Sequence, residues 1–238
     1  YDPAFVRVYD IATNDLLATI PAGTNCQFLA VDRRNRIHAV ATGDYFTIWG
    51  KVYVIDGNNH QLIDSITTGG SPGQICISPL DVAYLAAGGW TKDGFVYTYN
   101  ALTGEVYHDD TDPLAVDQNC LTVATYQDST IFAGSFSDYI NTIDSSGAII
   151  DRYTVGDGPV HLDFNYLPGD VDGDFEVNIL DILYYIDYKF KGGADIRYPR
   201  WRANVNGDYQ YNIVDIIFMV NYKFKNGPRP KTGAVWLE

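Results

Sequence analysis

Short runs in which apolar and polar residues alternate fill the first two thirds of this 238-residue chain. Four of them share one form: Phe5-Val-Arg-Val-Tyr-Asp10, Lys51-Val-Tyr-Val-Ile-Asp56, Phe95-Val-Tyr-Thr-Tyr-Asn100 and Tyr139-Ile-Asn-Thr-Ile-Asp144. A near period of two over a few residues predicts a strand. Each run is followed by a turn and another short strand, at Leu16 to Ile20, Leu62 to Ile66, Glu105 to His108 and Ala148 to Tyr153. Beyond residue 178 the period lengthens. Ile179, Leu183, Ile186 and Phe190 recur near helical spacing, which predicts a helix with an apolar face. Residues 181–193 have a near copy at 215–227, so a second helix is expected, with Gly193 and Gly227-Pro228 as the stops.

The strand pattern repeats. Asn25-Cys26-Gln27-Phe28-Leu29-Ala30 with Ile37-His38-Ala39 aligns with Asn119-Cys120-Leu121-Thr122-Val123-Ala124 and Ile131-Phe132-Ala133, residue 119 against residue 25, an offset of 94. A middle copy begins at Pro72, an offset of 47. About four short strands per period is the pattern of propeller blades. The wording resembles YVTN-type propeller repeats over residues 5–164. The reading is a mainly β chain: a small β-propeller-like repeat domain of about four blades over residues 1–166, then an α-helical module over 167–230 and a tail over 231–238. Three full blades are expected at about 26–66, 73–108 and 119–153. The N-terminal strand pair and a last strand at Val160-His-Leu-Asp-Phe164 are expected to meet in a closing blade. An open, incomplete ring is the rival reading.

The boundary between strand and helix patterns carries the chemistry. Residues 170–181 read Asp-Val-Asp-Gly-Asp-Phe-Glu-Val-Asn-Ile-Leu-Asp, and residues 204–215 read Asn-Val-Asn-Gly-Asp-Tyr-Gln-Tyr-Asn-Ile-Val-Asp, an offset of 34. Each loop places oxygen-bearing side chains at positions 1, 3, 5, 9 and 12. This is how a chain wraps a hard cation that takes six to eight oxygens. The expected ligands are Asp170, Asp172, Asp174, Glu176, Asn178 and Asp181 in the first loop. In the second they are Asn204, Asn206, Asp208, Gln210, Asn212 and Asp215. Glu176 and Gln210 would ligate through backbone oxygen, and Asn178 and Asn212 through water. The first loop has more carboxylates, so it should bind calcium more tightly.

The duplicated loop, the Asp at position 12 and the duplicated helix resemble a dockerin over residues 169–230. That resemblance implies two Ca2+ sites and docking onto a cohesin-like protein domain. Positions 10 and 11 hold Ile179-Leu180 and Ile213-Val214, where the best-known cellulosomal type has Ser-Thr. An apolar docking face, or packing against the rest of the protein, is therefore expected. Position 6 holds Phe175 and Tyr209, where an EF-hand has Gly.

Composition narrows the rest. A formal charge of −14 argues against nucleic acid, which needs a basic face. Of 30 acidic residues only Glu105, Glu176 and Glu238 are Glu, and a surplus of Asp favours turns over helices. No run approaches the roughly 20 apolar residues of a membrane span. The start at Tyr1 suits a processed form, and weak calcium sites suit a secreted, extracellular setting. Three cysteines cannot form a complete disulfide framework, and buried free thiols are expected. His38 has Leu85 and Phe132 as repeat counterparts, so a packed strand histidine is expected. No metal-spaced histidines, serine elbow or phosphate loop is present. Asp109-Asp110 and Asp163 are carboxylates that could face a channel. The expectation is a non-catalytic interaction or assembly protein that docks to a cohesin-like domain or to further copies of itself. A filament would follow from head-to-tail contact through the tail, which ends in Val-Trp-Leu-Glu238. The alternative is a dockerin-borne carbohydrate-active enzyme or carbohydrate-binding component.

Overall fold

The computed structural model describes residues 3–78, 80–88, 93–116, 118–126, 130–156, 158–164, 167–197, 200–208 and 210–231. Tyr209 and the tail from Thr232 to Glu238 lie outside the described residues, as does Tyr166 at the expected domain boundary. The chain divides into two compact units, Tyr1–Asp163 and Phe164–Glu238. Among the described residues no helix is long and apolar enough to cross a membrane.

The first unit is mainly β. Pro3–Tyr9 (β1) and Leu16–Thr24 (β2) form a two-stranded antiparallel sheet. Cys26–Val31 (β3), Arg36–Ala41 (β4), Lys51–Asp56 (β5) and Leu62–Thr67 (β6) make the next, in chain order. Ile75–Ile77 (β7), Val82–Ala87 (β8), Phe95–Asn100 (β9) and Val106–His108 (β10) follow, with Leu114–Ala115 (β11) added to β9. Cys120–Tyr126 (β12), Thr130–Ser135 (β13), Tyr139–Ile143 (β14) and Ile149–Thr154 (β15) complete the set.

The four Asp or Asn residues that close the repeated strands act alike. Asp10, Asp56, Asn100 and Asp144 each accept a backbone N–H two residues on, at 2.8–2.9 Å. These side-chain turns reverse the chain into the next strand. The sheets then bury apolar faces against one another. Val40, Val52 and Val54 of the first four-stranded sheet share a core with Leu85 and Tyr97 of the next. Val96, Val123, Ile131 and Ile143 join that sheet to the last.

A buried polar network ties the same sheets. His38 on β4 and Tyr99 on β9 are both fully buried. The Arg36 guanidinium meets Asp32 at 2.6 Å and donates to the carbonyls of Ala101 and Leu102. Ionised Asp32 can only accept, so the proton of neutral His38 lies on Nε2, which donates to Asp32 Oδ2 at 3.3 Å. Nδ1 then accepts from the Tyr99 hydroxyl at 2.7 Å. Burial lowers the pKa of His38 despite the neighbouring carboxylate. Backbone and Arg36 hydrogen bonds outweigh burial at Asp32 and lower its pKa.

The expected propeller-like ring is not what the chain builds. The described residues form four separate antiparallel sheets with no closed ring or barrel. Residues 160–164 are not a strand, and among the described residues the sheet of β1 and β2 has no third member. The backbone of the expected closing segment meets side chains instead of a ladder: Leu162 N donates to Thr122 Oγ1 at 3.0 Å. The N-terminal pair buries Val6, Ile20 and Ala22 against Ala39 and Ile55.

The second unit carries two helices, Ile179–Lys191 (α1) and Ile213–Phe224 (α2), and a 3₁₀ turn at Arg200–Ala203. Both helices start with a reciprocal capping box. Asn178 and Asn212 are the N-caps, and Asp181 and Asp215 reach back to the cap N–H. The first ends on a left-handed cap, Gly192 (φ 68), whereas Lys225 (φ −131) caps α2 and the left-handed residue there, Asn226 (φ 53), follows one position later. Ile182, Tyr185, Ile216 and Met219 face the core with Val171 and Val205. The Ile179, Leu183 and Phe190 stripe is instead 50–59% exposed.

Candidate metal centre

Asp170, Asp172 and Asp174 converge, with one oxygen of each within 4.8 Å of the others. An oxygen-ligated calcium binds at about 2.3–2.6 Å, so a central ion could reach all three. The donor set is all hard oxygen, which suits such a cation. The cluster could hold a metal ion.

Local sequence explains the convergence. Asp170 Oδ1 accepts from Gly173 N at 2.8 Å and Asp174 N at 3.0 Å, which curls the chain around its own first residue. Gly173 takes φ 80 at that bend, a left-handed value that suits glycine. Phe175 takes φ 68 at position 6, so a bulky residue adopts the conformation an EF-hand gives to Gly. Asp174 Oδ1 accepts from Glu176 N at 2.8 Å. Asp181 stands outside the three-carboxylate cluster. It is fully buried and accepts from Val171 N at 2.6 Å and Asn178 N at 2.7 Å. Burial pushes its carboxyl up to about 6, with repulsion from Asp172 adding to the shift. Asn178 Oδ1 accepts from Leu180 N, so its role in the structure is to cap α1.

The second loop repeats the first loop's turn and capping bonds. Asn204 Oδ1 accepts from Gly207 N at 3.1 Å and Asp208 N at 3.2 Å. Asp208 Oδ1 accepts from Gln210 N at 2.9 Å, and Asp215 Oδ2 from Asn212 N at 3.0 Å. Asn204 and Asn206 stand where the first loop's cluster has Asp170 and Asp172, so amides replace two of its three carboxylates, and Asn206 Nδ2 donates to the remaining one, Asp208 Oδ2, at 3.0 Å. Asp215 is fully buried, and burial raises its pKa.

Two residues that contact the loop carboxylates lie outside both twelve-residue patterns. Arg202, buried to 1% exposure, donates from Nη1 to the Asp170 carbonyl at 3.0 Å and to Asp170 Oδ2 at 3.2 Å. Burial raises the Asp170 pKa, and the guanidinium opposes that shift. Tyr185, also fully buried, donates its hydroxyl to Asp215 Oδ2 at 3.2 Å. The one available signal for Arg202 was the four carboxylates of the first loop, which call for a buried counter-charge.

Elsewhere, Asp109 accepts from Thr111 N at 2.9 Å and Asp110 from Gly70 N at 3.0 Å, so both brace turns. Cys26, Cys76 and Cys120 are free thiols.

No protein-family model and no curated protein matches this chain. Among solved structures, it is similar to Kuenenia stuttgartiensis hydrazine synthase, at 19% identity and a TM-score of 0.53. The match covers 63% of this chain and 43% of that one, so this chain spans less than half of that chain's length. This likeness is one of fold alone. A computationally designed protein, Ika4, matches at 16% identity and a TM-score of 0.45 over 60% of this chain and 81% of its own.

Proposed function

We propose that the second unit is a dockerin-like, calcium-dependent docking module of a secreted, non-catalytic interaction or assembly protein. The supporting observation is a duplicated surface. Ile179, Leu180, Leu183 and Phe190 on α1, and Ile213, Val214, Ile217 and Phe224 on α2, are each about half exposed. The two sets are related residue by residue by the offset of 34 that relates the loops. Exposed apolar patches of this kind mark protein interaction sites. An apolar groove between the helices, lined by Ile186, Phe190, Ile213, Ile217 and Val220, continues the same surface.

The six expected ligands between Asp170 and Asp181 and the six between Asn204 and Asp215 would hold two calcium ions, one in each loop. Bound calcium would supply positive charge that lets clustered carboxylates stay ionised. The residues themselves present the oxygens, cap both helices and set the angle at which each apolar stripe leaves its loop. The partner is a cohesin-like domain or another copy of the chain.

Titration with calcium chloride should give two sites. Calcium at a hundredfold excess over Kd stabilises the fold that binds it by about 2.7 kcal/mol, so chelator should lower the urea midpoint of the second unit. Absence of any calcium heat overturns the proposal. Light scattering in calcium, with and without residues 231–238, then separates the partners. Assembly lost on truncation identifies self-docking through the tail. Monomers in both cases point to a separate cohesin-like protein.

A further inference from the structure

Resting on the reading that both loops bind calcium, we infer that Arg202 and Tyr185 couple the two loops, so that filling one raises the affinity of the other. The two contacts cross over. The first ligand of the first loop, Asp170, is held by Arg202, two residues before the second loop begins. The last ligand of the second loop, Asp215, is held by Tyr185, on the helix that the first loop launches. The backbone closes the same circuit, since Gly169 N donates to the Arg202 carbonyl at 2.7 Å and Asn204 N to the Trp201 carbonyl at 2.9 Å. Fixing Asp170 therefore fixes the 3₁₀ turn that leads into Asn204.

These contacts are not by-products of duplication. At the offset of 34, the counterpart of Arg202 is Pro168 and that of Tyr185 is Met219. Neither can make the same charged or hydroxyl hydrogen bond. The loops and capping boxes repeat, but the two buried links between them do not. Arg202 and Tyr185 are positioning residues: each acts on the cation through a carboxylate. Coupling between sites is a difference in affinity that must be the same in both directions, and values of 5- to 150-fold are typical.

The test uses the full chain, calcium chloride and isothermal titration. Asp172→Ala disables the first loop without touching either link. In the otherwise native chain it should weaken the second site by about fivefold or more. In a Tyr185→Phe background, which keeps the buried ring and removes only the hydroxyl, that effect should shrink towards onefold. Arg202→Met should do the same, and Tyr185→Phe keeps the inference testable if Arg202→Met fails to fold. An unchanged second-site affinity in Asp172→Ala overturns the coupling while leaving calcium binding intact. An undiminished effect in Tyr185→Phe and Arg202→Met removes these residues from it. No calcium heat in any chain overturns the loop reading and the coupling with it.

Discussion

Asp181→Ala should destabilise the second unit far more than Asp172→Ala, although each removes one proposed carboxylate ligand. The difference lies in backbone bonds. Asp181 is fully buried and accepts short bonds from Val171 N and Asn178 N, with a longer one from Asp172 N at 3.3 Å. Asp172 is half-buried, and Asp174 N donates to it at 3.3 Å. A buried donor left without its acceptor costs about 1–3 kcal/mol, so two short bonds are worth roughly 2–6 kcal/mol. Burial raises the Asp181 pKa, so part of that gain is offset where the group is ionised. A net loss of about 2–3 kcal/mol beyond Asp172→Ala is expected. A unit of this size has a total stability of roughly 4–11 kcal/mol, so the loss should be plain in a urea titration. The assay is helix circular dichroism against urea in saturating calcium, with both variants and the parent. Asp215→Ala should fall between them, because its backbone bonds from Asn212 and Asn206 are longer, at 3.0 and 3.5 Å. Equal midpoints for Asp181→Ala and Asp172→Ala would show that Asp181 acts on the fold only as a ligand, and the argument from the capping box would fail.

The first unit should lose stability as the pH falls from 7 to 5. The folded-state pKa of His38 is lowered by burial, so the neutral ring is favoured there while the unfolded chain takes up protons below about 6.5. His38→Gln should flatten that pH dependence in urea midpoints; an unchanged slope would assign it to another group. Phe175→Gly should stabilise the second unit by about 1 kcal/mol by relieving a left-handed backbone, φ 68, at an exposed position. A loss of midpoint instead would mean that the ring contributes more than the strain costs.

The local elements were legible because local chemistry makes them. The Asp or Asn that closes each repeated strand makes the turn that follows it. Asn178 and Asn212 sit three residues before Asp181 and Asp215, the spacing of a capping box. Ring closure was not legible, because it depends on edges from opposite ends of a long chain finding each other. Strand-like alternation at Val160 to Phe164 says nothing about whether a partner edge is there. The inward face of the helices was hidden for a related reason. Ile179, Leu183, Ile186 and Phe190 fit one helical stripe, but Ile182 and Tyr185 fit another, and the second is the buried one. Periodicity cannot rank two apolar stripes on one helix.

Counting carboxylates ranks the first loop well above the second, and the buried guanidinium changes that comparison. Asp170, Asp172, Asp174 and Asp181 stand against Asp208 and Asp215. Arg202 sets one positive charge 3.2 Å from Asp170, in a place with almost no exposure to water. At that depth solvent and salt screen the pair little, so the charge acts nearly in full on the first loop. The field a cation would meet there is closer to that of the second loop than the sequence suggests. The same residue that narrows the difference also ties the loops together. Both follow from one side chain, thirty-two positions from the carboxylate it serves, at a place where the duplication is broken. The repeated residues describe two similar loops on one surface. The unrepeated Arg202 and Tyr185 link the two loops through Asp170 and Asp215, and on the proposed calcium reading that link would let each loop sense the other.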